Sequence, residues 1–144
     1  MATEAKSETA TALHVQLVTP RGPVAEQETD AVTAPGELGE FEVLPGHVPL
    51  LTELHPGVLV LGERERRIFA VSSGFLEVEL DGTVLVLVEQ AVAAADVELE
   101  QAKAQLSELG PKLKDWKGAV DAEFKNLKAR HDWALAQVEA RSRA

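Results

Sequence analysis

A chain of 144 residues, 45% hydrophobic and 26% charged, has room for one packed domain with an appendage and is too apolar for general disorder. It has no cysteine, which excludes disulfides, thiolate catalysis and cysteine-based zinc sites. The net charge of −10 argues against nucleic acid or an anionic membrane surface as partner, and no apolar run approaches the ~18 residues a transmembrane helix needs.

In chain order, residues 1–12 read as a mobile tail, with neither the apolar core of a signal peptide nor the arginines of a transit peptide. Val15 and Leu17 alternate with His14 and Gln16, the pattern of a half-buried strand. Pro20-Arg21-Gly22-Pro23 is a turn, and a strand covers much of Val24–Thr33, ending at Pro35-Gly36. Glu40–Leu44 precedes a second Pro-Gly pair, Pro45-Gly46. Pro56-Gly57 precedes Val58–Leu61. Arg66–Val71 is followed by Ser72-Ser73-Gly74, a bulge or tight bend. Leu76, Val78 and Leu80 alternate with Glu77 and Glu79. Asp81-Gly82 signals a two-residue hairpin loop, and the unbroken apolar run Val84–Val88 predicts a strand covered on both faces. Short strands with frequent turn signals indicate a sandwich or barrel.

The composition changes near residue 91. Residues 1–90 hold 15 acidic and 5 basic side chains, whereas residues 91–144 hold 9 of each and are rich in Ala, Glu, Lys and Leu. This predicts three parts: the tail (1–12), a β-domain (13–90) and a helical hairpin (91–144). Asp96 is a candidate N-cap. Leu99, Ala102, Leu106 and Leu109 form one apolar stripe, and Gly110-Pro111 stops the first helix. The second carries Leu113, Trp116, Val120, Phe124, Leu127, His131, Trp133 or Ala134, and Val138.

The search for chemistry returns nothing specific. His14, His47 and His55 lack partners at metal-ligand spacing, so no metal is expected. Glu77/Glu79 and Glu40/Glu42 alternate on strands and read as solvated sheet faces rather than acid–base pairs. Ser72-Ser73-Gly74 is not followed by a helix and is no nucleophile elbow. The residues alone describe a binding or structural module.

One stretch carries more. AVTAPGELGEFEVLPGHVPLLTELHPGVLVL, followed by FAVSSGFLEVELDGTVLVLVEQAVAAADVELEQAKAQL, resembles the epsilon subunit of the F-type proton-translocating ATP synthase. The likeness covers residues ~13–106, with Ala-Pro-Gly, Gly-Glu-Phe, Leu-Pro-Gly-His, Pro-Gly-Val and Phe-x-Glu-Val in the family's order. Glu42 stands where the family often has Gly, and Ser73 replaces the first Gly of a Ser-Gly-Gly. The resemblance implies a flattened ten-stranded β-sandwich followed by an antiparallel two-helix hairpin. It implies a non-catalytic rotor subunit of the central stalk, coupling gamma to the c-subunit ring during proton-driven ATP synthesis. The protein would be peripheral, on the cytoplasmic face of a bacterial inner membrane, without inserting into it.

The resemblance also assigns residues. Glu40 and the corner Pro45-Gly46-His47 match positions that face the c-ring, with gamma nearby. Lys125, Lys128, Arg130, Arg141 and Arg143 match a basic second helix. When the tail extends, that helix meets the beta and alpha subunits of the catalytic head and inhibits ATP hydrolysis. Some members bind ATP through Ile/Leu-Asp-x-x-Arg-Ala. Here Glu98 replaces Asp and Gln101 replaces Arg, with Ala102 retained. The lost guanidinium argues against bound ATP, and no cofactor is expected. Two alternatives stand beside this reading: a free-standing β-sandwich interaction module with a dimerising hairpin, and a small cupin-like enzyme using His14, His47 and His55.

Overall fold

The alternation in the sequence becomes a two-faced strand. Leu13, Val15 and Leu17 are fully buried, while His14, Gln16 and Val18 stand on the other side of β1 (Leu13–Thr19). In the computed structural model, which describes residues 12–144, nine further strands follow. They are β2 (Gly22–Thr29), β3 (Val32–Gly36), β4 (Gly39–Val43), β5 (Leu50–Leu54), β6 (Gly57–Leu61), β7 (Arg67–Val71), β8 (Gly74–Val78), β9 (Thr83–Val88) and β10 (Ala91–Ala93). The predicted tail lies outside the described residues except for Ala12.

Hydrogen bonding runs β10-β7-β6-β3-β5-β8-β9-β1-β2, with β4 also on β3. Among the described residues, only β1 and β9 run parallel. β3 meets β5 through a single pair, Gly36 with Leu54, and this is the fold line between two layers. One layer is β10-β7-β6-β3-β4 and the other β5-β8-β9-β1-β2, a ten-stranded β-sandwich as expected. Between them lies the main core, including Leu17, Val32, Leu59, Leu61, Phe69, Leu76 and Val86. Each such side chain contributes about 1.5–3 kcal/mol by leaving water.

Several local expectations are corrected. The run Val24–Thr33 is two strands broken at Asp30-Ala31, and the second, β3, ends at Pro35-Gly36 as expected. Pro35 is tolerated because the pairing of β3 with β6 stops at Thr33, so its missing N–H breaks no ladder bond. Its carbonyl accepts from the His55 N–H at 2.9 Å. The β8–β9 loop holds four residues, Glu79-Leu80-Asp81-Gly82, with a positive φ at Gly82 alone. Leu80 therefore lies in the loop and is exposed, not in line with Leu76 and Val78.

Ser72-Ser73 is where the chain crosses from one layer to the other. The buried Ser72 hydroxyl accepts from the Gln90 N–H at 2.8 Å, which ties this crossover to the return crossover at Glu89-Gln90. Gly74 permits the close passage, since a Cβ there would stand 2.0 Å from the Leu87 carbonyl oxygen.

The sheet extends past residue 90, because β10 pairs with β7. Asp96 lies in a 3-10 turn (Ala94–Asp96) instead of capping a helix, and α1 (Leu99–Lys114) starts without a side-chain cap. Gly110-Pro111 does not stop α1, which continues one turn to Lys114. Gly110 has no Cβ for the proline ring to meet, and the Asp115 N–H still reaches the Pro111 carbonyl at 2.9 Å. In the second helix, α2 (Ala122–Arg143), Asp121 is a true cap: its Oδ1 accepts from the N–H groups of Glu123 and Phe124, both at 3.1 Å. Leu113, Trp116 and Val120 precede α2 and are not part of its stripe.

The predicted double-covered strand is misplaced. β9 alternates, with Leu85 and Leu87 pointing outward. β6 is the strand buried on both faces, because α2 lies across the outside of β6 and β7. Val58, Val60 and Ala70 meet Ala136 and Ala140 there, with Trp133 packed at the margin. The alanines let helix and sheet approach closely.

Candidate interaction surfaces

The sandwich has one outer face under α2 and one facing solvent. On the bare face, cross-strand register puts Leu51 opposite Glu77 and Phe75 opposite both Glu53 and Leu87. Leu85 and Leu87 in turn lie beside Gln16 and Val18 of β1. Leu51, Phe75 and Leu87 are 69%, 52% and 45% exposed. Single exposed apolar residues are ordinary, but these sit together on adjacent strands, fringed by two carboxylates. At one end of the same layer, Leu50 pairs with Val78. Val48 and Leu80 lie just beyond that pair, 70% and 86% exposed. The pleat turns Leu51 outward, away from the core that its neighbours Leu50 and Leu54 face.

The Pro45-Gly46-His47 corner is a tight turn after β4. The His47 N–H donates to the Leu44 carbonyl at 3.0 Å, with Pro45 and a positive-φ Gly46 between, the demands of a type II turn. His47 is half-buried, its Nδ1 2.7 Å from the Val48 carbonyl oxygen. Glu40 is exposed at the opposite end of β4, so the strand separates it from His47. The fold instead joins Glu40 to Arg143, Nη2 to Oε2 at 2.7 Å.

The basic residues of α2 divide into two groups. Arg143 and Arg141, whose guanidinium donates to the Ala95 carbonyl at 3.1 Å, fasten the helix end to the sandwich. Lys128 pairs along the helix with Asp132 at 2.8 Å. Lys125 and Arg130 are exposed and carry no ion pair among the described residues.

Glu98, Gln101 and Ala102 do share a cleft, about 260 Å³, with Gln90, Gln105, Trp133 and Gln137. It is lined by amides and one carboxylate, with no basic side chain to neutralise phosphates. Arg130 lines an adjoining cleft of about 320 Å³. Among the described residues no nucleophile–base pair emerges: the Ser72 hydroxyl is committed to the crossover, and His14 pairs with Glu26 at 2.8 Å. The displaced titration with a clear cause belongs to a turn. Asp81, fully exposed, is held below the ordinary carboxylate value first by the Thr83 N–H and then by the Thr83 hydroxyl. No helix of the described residues is long and apolar enough to cross a membrane.

Residues 12–94 match the family described as ATP synthase, Delta/Epsilon chain, beta-sandwich domain. The ATP synthase epsilon chain of Citrifermentans bemidjiense is 42% identical over 133 residues, 92% of this chain and 95% of that one. That of Geobacter sulfurreducens is 39% identical with the same coverage. Among solved structures, a chain of the Euglena gracilis mitochondrial ATP synthase (OSCP/F1/c-ring) superposes with a TM-score of 0.75 at 20% identity, covering 88% of this chain and 79% of that one. A chain of the Tetrahymena thermophila mitochondrial ATP synthase central stalk and c-ring gives 0.60 at 18%, covering 90% and 96%. At these identities the structural likeness is one of fold.

Proposed function

The chain belongs to the delta/epsilon-chain family of ATP synthase subunits, and from that premise we propose that it is a non-catalytic subunit of the central stalk, bound to gamma and seated on the c-ring during proton-driven synthesis. The observation that carries this is the inequality of the two sandwich faces. The hairpin covers one; the other keeps Leu51, Phe75 and Leu87 in solvent. We assign the bare face to gamma and the end marked by His47, Val48 and Leu80 to the ring. Glu40, across β4, reaches the ring only if its pair with Arg143 gives way. The protein is then peripheral, on the cytoplasmic face of a bacterial membrane.

The hairpin is proposed as the inhibitor of ATP hydrolysis. Its docked state rests on small alanine contacts and the two terminal arginines, and Lys125 and Arg130 are free to meet an acidic partner in the head. ATP is not proposed as its ligand, since the Glu98–Gln101 cleft lacks a cation.

The test is binding of the purified full chain to its cognate gamma subunit. Replacing Phe75 and Leu87 together by serine is expected to abolish binding with the melting temperature kept. Undiminished binding, or a parent chain that forms a homodimer through this face and ignores gamma, overturns the assignment. In the assembled complex, a chain ending at Val97 retains β10 and is expected to raise ATP hydrolysis; an unchanged rate removes the inhibitory role.

A further inference from the structure

We propose that Glu37, Glu53 and His55 bind a first-row divalent cation of the zinc type at the seam between the two layers. One ligand atom from each lies within 4.8 Å of the others. Glu37 sits in the β3–β4 turn, Glu53 in β5, and His55 directly after β5. The main chain around them is held by pairing. Gly36 pairs with Gly39 on one side and Leu54 on the other, and the His55 N–H donates to the Pro35 carbonyl at 2.9 Å. The donors are thus mounted on bonded backbone, which limits the reorganisation a cation demands.

Among the described residues, no ion pair involves any of the three. Two carboxylates converge beside an imidazole with no protein cation to offset them, and a bound metal ion turns that repulsion into attraction. The donor set selects the metal. Two carboxylate oxygens and one imidazole nitrogen suit zinc and its neighbours, whereas calcium and magnesium prefer oxygen alone and monovalent copper prefers sulfur. Three exposed protein ligands leave a position for water or for a donor from another molecule. Glu53 pairs across strands with Phe75, so a cation here also removes negative charge from the rim of the bare face. The inference stands on this geometry and does not depend on the stalk reading.

The full chain, freed of metal by chelation and dialysis, is titrated with zinc chloride by calorimetry. One saturable site is expected. His55→Ala and Glu53→Gln should each weaken it about tenfold or more, since even loss of an outer-shell partner costs 10–100-fold. His14→Ala, whose ring pairs with Glu26 elsewhere, should leave it unchanged. Zinc should raise the melting temperature of the parent and not of the two ligand variants, whose metal-free melts should match the parent's. Absence of saturable binding, survival of binding in both ligand variants, or its loss in His14→Ala overturns the proposal.

Discussion

The two outer faces of the sandwich arise from the same period-two pattern and end in opposite environments. On β6, Val58 and Val60 point out of the sheet and are buried by α2. On β8 and β9, Phe75 and Leu87 point out of the sheet and meet water. An outward apolar residue therefore does not declare its fate. That depends on whether another element lands on it, and the hairpin lands on only one layer. The face left over is the one with unspent apolar surface.

The largest expected effect tests what the faces share. Leu59→Ala opens a cavity in the common core and should cost about 2–5 kcal/mol in urea unfolding. The sharpest contrast is a matched pair. Val58→Thr places a hydroxyl under α2 with no partner and should cost about 1–3 kcal/mol. Leu87→Thr, on the bare face, should change stability by about 0.5 kcal/mol or less. Equal losses by urea unfolding would mean that the faces are not energetically different. Asp121→Ala removes both cap bonds of α2 and should cost about 0.5–2 kcal/mol. Circular dichroism should show the loss as helix fraying. Trp116 fluorescence should report it locally, since that ring packs edge-on to Phe124 at 5.5 Å.

Smaller still is the Glu40–Arg143 pair. It is half-exposed, and Arg143→Ala should cost about 0–1 kcal/mol, shrinking as salt is added. The smallest effect is pH-dependent. Asp81 has a carboxyl held below its ordinary value in the folded chain, so its contribution is present above the unfolded value and fades as pH falls through the lowered one. The stability difference between parent and Asp81→Ala, followed by denaturant unfolding, should therefore be constant near neutrality and narrow only in acid.

Much of this was legible in the residues. Alternation placed most strands, Pro45-Gly46 placed a turn, and the change near residue 91 announced the helices. The ordered motifs named the family. Some misreadings had local causes. Gly110-Pro111, read as a stop, was accommodated within α1, where the residue before the proline lacks a Cβ. The nucleotide candidates line a common cleft, while Glu40 and His47, close in sequence, were parted by an extended strand.

Position in space settled the rest. Glu37 lies 16 residues from Glu53, a separation that carries no periodic signal, and pairing of Gly36 with Leu54 brings them together. Arg143 and Glu40 meet across 103 positions. Val84–Val88 looked doubly buried and Val58–Leu61 did not look different, because both are short apolar runs. The sequence by itself determined which residues form strands and helices and where the chain turns, since those follow from local periodicity and backbone sterics. Only the tertiary structure decided which sandwich face is covered and which is offered, because burial depends on where a distant helix comes to rest.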